Sequence, residues 1–368
     1  MRVLHILNSP GVGGIEKLTV DFVKTSSFLN KDIINDILFV GRNDGDMTAV
    51  FEALECNIFF GKLSSGYDIN FRKLYKINSI FQMYDILHIH TFNPFVAFFA
   101  LISKKKIVYT EHGNFGFGRE IKPFESVKFF LLKFFLHVRV DRCIYNSQFT
   151  KKIADSRFGP LRRNKGGVIY NGIELINPND VLDHPNYKNI DLQGKYIVGT
   201  ISRLAGFKRV DRLIKSFYLF QKDKENVLLL IVGNGILTNE LKSLVKELGV
   251  QKKVLFIGYQ QDTLSWIKTM SVCVFASSNE PFGLVAIEAM SMNKPVIVFR
   301  DGGGLVETVG NLSQDDVVKS KANAVERLEY YYDLFNKNDL EKFNSITVAN
   351  QFSIIKMTHK VLKVYKQL

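Results

Sequence analysis

The feature that most constrains this chain is a rhythm. Short apolar runs of β-forming residues alternate with helical patterns from one end to the other, the signature of parallel α/β layers. The rhythm runs through two series. The first predicts strands at Val3–Leu7, Ile34–Phe39, Ile86–His90, Ile107–Thr110 and Arg142–Tyr145, and closes with Val168–Tyr170 at the turn dipeptide Asn171-Gly172. A polar stretch from Asn171 to Lys195, carrying Pro178 and Pro185, reads as an interdomain connection. The second series predicts strands at Tyr196–Gly199, Val227–Val232, Val254–Ile257, Val272–Phe275 and Val296–Phe299. A chain of 368 residues is also longer than one core usually serves. The expectation is α/β throughout: two Rossmann-like domains, 1–172 and 173–349, and a helical segment over 350–368. Consecutive open sheets of this kind place ligand crevices at the carboxyl ends of their strands, facing each other across a cleft.

Several function classes drop out early. Cys56, Cys143 and Cys273 are odd in number, far apart and outside any CxxC, which argues for a reducing compartment and against a disulfide framework. Met1–Asn8 reads as a strand and not as a signal peptide. No apolar run reaches the roughly 18 residues that span a bilayer. The expectation is a cytoplasmic protein, free or peripheral on the inner face of the plasma membrane.

The net charge of +13 is unevenly placed. Residues 103–165 hold 15 Lys/Arg against 5 Asp/Glu, whereas residues 1–102 hold 9 against 10. Such a local excess points to an anionic partner. Nucleic acid is a poor fit, because the aromatic residues there are gathered with aliphatic ones and not set as stacking platforms. The helix-like segment 123–139 carries Phe129, Leu132 and Leu136 among Lys128, Lys133 and Arg139. Two readings of it stand: shallow insertion at an anionic bilayer, or a buried helix whose charged side chains snorkel to solvent.

The stretch Asn279–Glu288 (NEPFGLVAIE) is the most informative. A loop carrying Glu280 follows a strand, and a helix begins near Gly283. The backbone N–H groups around Gly283, Leu284 and Val285 then form an anion site. Glu288 follows about one turn later. Carboxylates around an anion site imply a ligand that also carries hydroxyl groups. Gly199–Lys208 (GTISRLAGFK) follows the first strand of the second series, and there Arg203 offers a planar fork and Lys208 a point charge, together suiting a diphosphate.

In the first series, Gly11-Val-Gly-Gly-Ile-Glu16 departs from the dinucleotide fingerprint, since Glu16 occupies the place of the third glycine. Gly13 and Gly14 still allow close backbone approach to a phosphate or sugar. His112 ends another strand of this sheet and is expected to face the cleft, where an imidazole can donate to a sugar hydroxyl or polarise the reacting centre. His88 and His90 share one strand face, but a metal site needs a third ligand that the sequence does not place. Asp44-Gly45-Asp46 mimics a metal-binding DxD and reads as a surface turn. No metal is expected.

Taken together these residues resemble family 4 of the retaining GT-B glycosyltransferases, over nearly the whole chain. Glu280-Pro-Phe-Gly-x4-Glu288 looks like that family's E-x7-E signature, Ser202-Arg-Leu-x3-Lys208 like its diphosphate loop, and Gly13-Gly14-x-Glu16 like its first glycine turn. Phe352-Ser-x11-Tyr365 is similar to its final helix, which crosses back onto the first domain. Thr308–Asp316 and the tyrosines at 330–332 depart from the family pattern, and no function is assigned there.

The resemblance implies that Arg203 and Lys208 bind the donor diphosphate and stabilise the leaving group, that Glu288 holds the ribose, and that Glu280 contacts the transferred sugar. The backbone from Phe282 to Val285 would assist. His112 would lie beside the sugar, Gly258 and Tyr259 would meet the base, and Gly14 would approach the phosphates. It further implies a retaining, metal-independent transfer from a nucleoside diphosphate sugar such as a UDP- or GDP-sugar. The acceptor would be a glycan or lipid-linked molecule, as in cell-surface polysaccharide or lipopolysaccharide synthesis. A nucleotide-sugar epimerase or hydrolase of the same fold, a basic nucleic-acid-binding protein and a non-catalytic scaffold are the alternatives.

Overall fold

The computed structural model describes the chain except for residues 12, 65–69, 114–122, 163–164, 183–185, 188–189 and 341–343. It divides into two compact units, one of Met1–Glu174 with Ile354–Leu368, the other of Leu175–Ser353.

The first unit is built on a seven-stranded parallel sheet. Its strands are β1 (Arg2–Leu7), β2 (Ile34–Phe39), β3 (Ile58–Phe60), β4 (Ile86–Ile89), β5 (Lys106–Glu111), β6 (Arg142–Tyr145) and β7 (Gly166–Val168). They lie in the order β3-β2-β1-β4-β5-β6-β7. The chain thus builds outward from β1 in one direction and then reverses, leaving a switch point between β1 and β4, where an open α/β sheet binds its ligands. Helices cover both faces, so the strands read as nearly continuous apolar runs. Alternation along β1 sends Leu4 and Ile6 into one core layer and Val3 and Leu7 into the other. The final helix, Ile354–Lys366, joins the second layer through Met357, Val361, Leu362 and Tyr365.

The second unit opens with a short hairpin, β8 (Asn186–Tyr187) and β9 (Ile190–Asp191). A six-stranded parallel sheet follows: β10 (Tyr196–Ile201), β11 (Val227–Val232), β12 (Val254–Gly258), β13 (Val272–Phe275), β14 (Val296–Phe299) and β15 (Val317–Val318). The order β12-β11-β10-β13-β14-β15 puts its switch point between β10 and β13. The helix Lys321–Asn336 packs Tyr331 into this core, where its hydroxyl donates to the buried Asp316 carboxylate at 2.7 Å. Of the tyrosine-rich stretch, Tyr331 is therefore part of the core and Tyr332 packs against it, while Tyr330 is exposed.

Three readings of the sequence are corrected, and one left open between two alternatives is resolved residue by residue. The strand expected at Val168–Tyr170 runs instead over Gly166–Val168, since glycines carry little strand signal. β3 and β15 were not anticipated, because two or three residues show no periodicity. The stretch read as a plain connection contains a 3₁₀ turn, Pro178–Asp180, and the hairpin, while Pro185 lies outside the described residues. In the helix Pro123–Val138, Leu132 and Leu136 are buried in the core and Phe129 packs against it. The residues that face out are Val127, Phe130, Leu131, Phe134 and Val138. A helix apolar on all sides does not declare its buried stripe by periodicity.

Candidate functional site

The switch point of the second unit gathers its chemistry. After β10 the chain makes a loop and a 3₁₀ turn, Gly206–Lys208, and after β13 it makes the loop that carries Glu280. Lys208 Nζ donates to Glu280 Oε2 at 2.6 Å, with only 15% and 13% of the two side chains exposed. Both line a pocket with Thr200, Ser202, Ser277 and Gly283. The Ser202 hydroxyl is buried there without a hydrogen-bond partner among the described residues. An orphaned hydroxyl of that kind is uncommon in a native interior and marks a place for a polar ligand atom.

The backbone around the pair is tightly specified. Glu280 N–H donates to Gly302 C=O at 3.2 Å and Gly304 N–H to Glu280 C=O at 2.7 Å, a bridge tying this loop to the one after β14. Gly283 caps the helix Leu284–Ser291 in the left-handed region, φ 88°. A Cβ there would run into the Leu305 side chain, so glycine is required on both counts. The first-turn N–H groups of that helix, at Leu284 and Val285, lie outside the intrahelical ladder and beside the pocket that Val285 lines. Arg212, from the helix Val210–Phe220, clamps the far side. Its Nε donates to Ala276 C=O at 2.7 Å, its Nη2 to Ser277 C=O at 3.0 Å, and it pairs with Asp301 at 2.8 Å.

Not every expected residue reaches the pocket wall. Lys208, Glu280, Gly283 and Val285 do. Arg203 is on the same loop as Lys208 but exposed, Leu284 is next to Val285, and Phe282 is buried edge-on to Phe352, leaving its backbone as the part to offer. Glu288 is buried one turn further along the helix. Gly258 and Tyr259 sit at the end of β12, two strands from β10. Gly258 adopts φ 83° and its carbonyl accepts from Gly233 N–H at 2.7 Å, while Tyr259 is 58% exposed. The sequence reading had Ser202 only as the first residue of the loop motif, and it missed Arg212, whose partners are brought near by folding.

In the first unit, Gly13 caps the helix Gly14–Leu29 with extended backbone, and a Cβ on it would meet the Glu16 carboxylate. The close approach that Gly13 permits here is to the chain's own acid. The switch point between β1 and β4 holds histidines. His5 pairs in register with His88, and His90 follows β4. The third imidazole that the sequence could not place beside His88 and His90 is His5, with ligand atoms of the three within 4.8 Å of one another. Every ring nitrogen of the three is nevertheless hydrogen-bonded. His5 Nδ1 and His90 Nε2 are 3.0 Å apart, His5 Nε2 is 3.1 Å from Asn35 Oδ1, and His90 Nδ1 is 3.0 Å from His112 Nε2. His88 uses Nδ1 for the Tyr365 hydroxyl at 2.5 Å and Nε2 for the Thr110 hydroxyl at 2.6 Å.

Burial disfavours the imidazolium form throughout the cluster. It lowers His5 and His112 to about 4 and holds His88 and His90 well below the ordinary range. The four line a cavity of about 30 Å³ with Thr19, Asn171 and Val361, among other residues. Burial likewise raises the Cys56 thiol to about 11 and Cys273 to about 12, which leaves them inert as nucleophiles.

Both halves of the chain match known families. Residues 38–176 match the model described as glycosyltransferase family 4, and residues 186–367 that described as glycosyl transferases group 1. An O-antigen biosynthesis glycosyltransferase of Escherichia coli, WclY, is 25% identical, the alignment covering 100% of this chain and 99% of that protein. The N-acetylgalactosamine-N,N'-diacetylbacillosaminyl-diphospho-undecaprenol 4-alpha-N-acetylgalactosaminyltransferase of Campylobacter jejuni is 27% identical over 48% of this chain and 46% of its own length. Several curated relatives are matched over only 28–58% of their length. Among solved structures, Anabaena Alr3699/HepE in complex with UDP and glucose superposes with a TM-score of 0.80 at 19% identity, covering 100% of both chains.

Proposed function

Because this chain belongs to the family 4 and group 1 glycosyltransferases and has their GT-B fold, we propose that it transfers a sugar from a nucleoside diphosphate donor to a glycan or lipid-linked acceptor. The setting we propose is synthesis of a cell-surface polysaccharide of the O-antigen or lipopolysaccharide kind, which full-length similarity to WclY supports. The similarity to an enzyme whose name specifies a diphospho-undecaprenol acceptor supports the lipid-linked class, and the UDP in the Anabaena structure supports a UDP-sugar donor.

The observation that carries the reading is the Lys208–Glu280 pair at the switch point, beside an orphaned Ser202 hydroxyl and an open helix start. A diphosphate entering the pocket draws Lys208 toward its oxygens. Charges 4 Å apart attract by about 4 kcal/mol at an effective dielectric near 20. Glu280, released from the ammonium, accepts from hydroxyls of the attached sugar, and the first-turn N–H groups of Leu284–Ser291 take part of the phosphate charge. As the sugar–oxygen bond breaks, Lys208 and Arg203 stabilise the charge that gathers on the departing phosphate, and an oxygen of that phosphate takes the acceptor's proton. Transfer from the leaving group's own side retains the anomeric configuration and needs no metal.

The exposed apolar face of Pro123–Val138 extends the proposal to the acceptor. Phe130, Phe134 and Val138, with Phe98 and Ile102 from the neighbouring helix Pro94–Ile102, stand out beside the exposed Lys128 and Lys133. Such a surface suits shallow seating on an anionic bilayer, where a lipid-linked acceptor is presented. No described helix is long and apolar enough to cross a membrane.

The test is transfer itself. Lys208→Ala and Arg203→Ala are each expected to lower turnover by on the order of 10²–10³. Variants within a few-fold of wild type would refute the assignment. Donor incubated alone separates the epimerase or hydrolase alternative, which releases epimer or free sugar without acceptor.

A further inference from the structure

The histidine cluster of the first unit has a direction, and that direction follows from donor and acceptor chemistry. Asn35 Nδ2 donates to Ser26 Oγ at 2.9 Å and to Ile33 C=O at 3.4 Å. A carbonyl only accepts, so the amide is oriented with Oδ1 toward His5. That oxygen also only accepts, so His5 Nε2 carries the proton. A neutral imidazole has one N–H, which makes His5 Nδ1 an acceptor and His90 Nε2 the donor to it. The same step repeats: His90 Nδ1 accepts and His112 Nε2 donates. The chain ends at His112 Nδ1, a lone pair without a partner among the described residues. The rings are also held in place, His5 on His90 and His90 on His112, each pair stacked with centroids 5.3 Å apart.

We infer that Asn35, His5 and His90 form a buried relay that fixes His112 in its Nε2–H tautomer, so that the group His112 offers a ligand is an obligate acceptor at Nδ1. His112 then recognises a donor, a sugar hydroxyl, and does not polarise a carbonyl or hold a phosphate oxygen. Asn35, His5 and His90 are positioning residues that act through it. The ligand half of this inference rests on the proposed sugar transfer; the tautomer half does not.

The relay accounts for the cluster better than a metal does. His5, His88 and His90 have the composition of a three-imidazole site, but an ion would have to displace hydrogen bonds at nitrogens that are all engaged. Tyr365, from the final helix, closes the side of the cluster at His88.

The test reads the tautomer directly. Protein labelled with ¹⁵N-histidine has 7 histidines, and the His112 signals are identified by their loss in His112→Asn. Long-range ¹H–¹⁵N correlation of the wild-type protein at neutral pH is expected to show His112 with a protonated Nε2 and an unprotonated Nδ1. The opposite tautomer, a fast-exchanging mixture, or displacement of these signals by stoichiometric Zn²⁺ alone would overturn the relay. His5→Phe keeps a ring but removes the acceptor for His90, and is expected to release His112 into a mixture of tautomers. Asn35→Asp, which can only accept, is expected to preserve the wild-type signature.

In sugar transfer, His5→Phe is expected to lose at least about tenfold in kcat/KM, and Asn35→Asp to retain most of it. If the tautomer is as stated but His112→Asn and His5→Phe transfer sugar like wild type, the hydroxyl-binding half falls and the relay stands as structure. If UDP and GDP fail to bind the wild-type protein at all, the proposed transfer falls instead, and the tautomer signature is unaffected.

Discussion

Lys208 and Glu280 lie 72 positions apart in the chain, yet their side chains meet at 2.6 Å across the switch point of the second sheet. Each comes from the loop after one of the two adjacent strands that flank the reversal, β10 and β13. With most of both side chains removed from water, the pair is more than a surface contact. Taking away one partner leaves the other partly buried and uncompensated, which is where large effects of single substitutions arise. Glu280→Gln keeps the shape and removes the charge. It is expected to lower turnover on the order of 10²-fold while the protein still binds a nucleoside diphosphate, because the carboxylate serves the sugar and not the phosphates. Steady-state kinetics and nucleotide titration on the same preparation check both halves.

Gly283 provides a contrast within the same site. Gly283→Ala adds a Cβ at φ 88° and against Leu305, and is expected to destabilise the protein by about 1–3 kcal/mol and weaken nucleotide binding, since the helix start must shift. Gly206→Ala, in the loop leading to Lys208, adds a Cβ with nothing within 4 Å and no left-handed backbone, so stability is expected to stay within about 0.5 kcal/mol. Urea denaturation of the two variants side by side gives the comparison.

The histidine cluster makes stability depend on pH. Burial lowers His5 to about 4 in the folded protein, while an unfolded chain titrates near its ordinary 6.5. Between those values the unfolded state binds more protons, so stability falls as pH drops from 6.5 toward 4 and is unaffected by this group above 6.5. His5 alone contributes a loss of about 3 kcal/mol over that window. His112 shifts the same way. Urea midpoints at intervals from pH 7.5 to 4.5 are expected to decline below about 6.5, and less steeply in His5→Phe. Equal slopes would contradict the burial of a neutral imidazole.

The outer face of Pro123–Val138 has its own experiment. Phe130→Ser with Phe134→Ser removes two exposed rings and is expected to abolish flotation with vesicles containing acidic lipid while leaving the melting temperature close to wild type. Leu132→Ala, which empties a core position, is expected to cost about 2–5 kcal/mol of stability. Wild-type protein that ignores acidic vesicles would remove the membrane from the account.

The doubly wound fold was legible because parallel strands covered on both faces are written as unbroken apolar runs, as in Val227–Val232, where every residue is buried. The gathering of Glu280, Gly283 and Lys208 was legible because they follow strand ends, where such sheets bind ligands. Features that depend on distant partners were not. Nothing in the run Arg2–Leu7 marks His5 as a neighbour of His88 and His90, since their meeting follows from β1 pairing with β4. Arg212 reads as one more helix charge until its guanidinium is found on the carbonyls of Ala276 and Ser277. The loop motif names Ser202, but not that its hydroxyl is buried and unpartnered among the described residues. The face of the Pro123–Val138 helix was left open between two readings because its apolar residues fall on every side, and only packing decides which of them the core takes.

The most direct measurement of the central claim is a calorimetric titration of UDP and GDP into the wild-type protein and into Lys208→Ala. Saturable binding of one of these diphosphates, weakened at least about tenfold in the variant, is the expected result. Equal affinity for wild type and variant, or no binding of either nucleotide, would contradict the account.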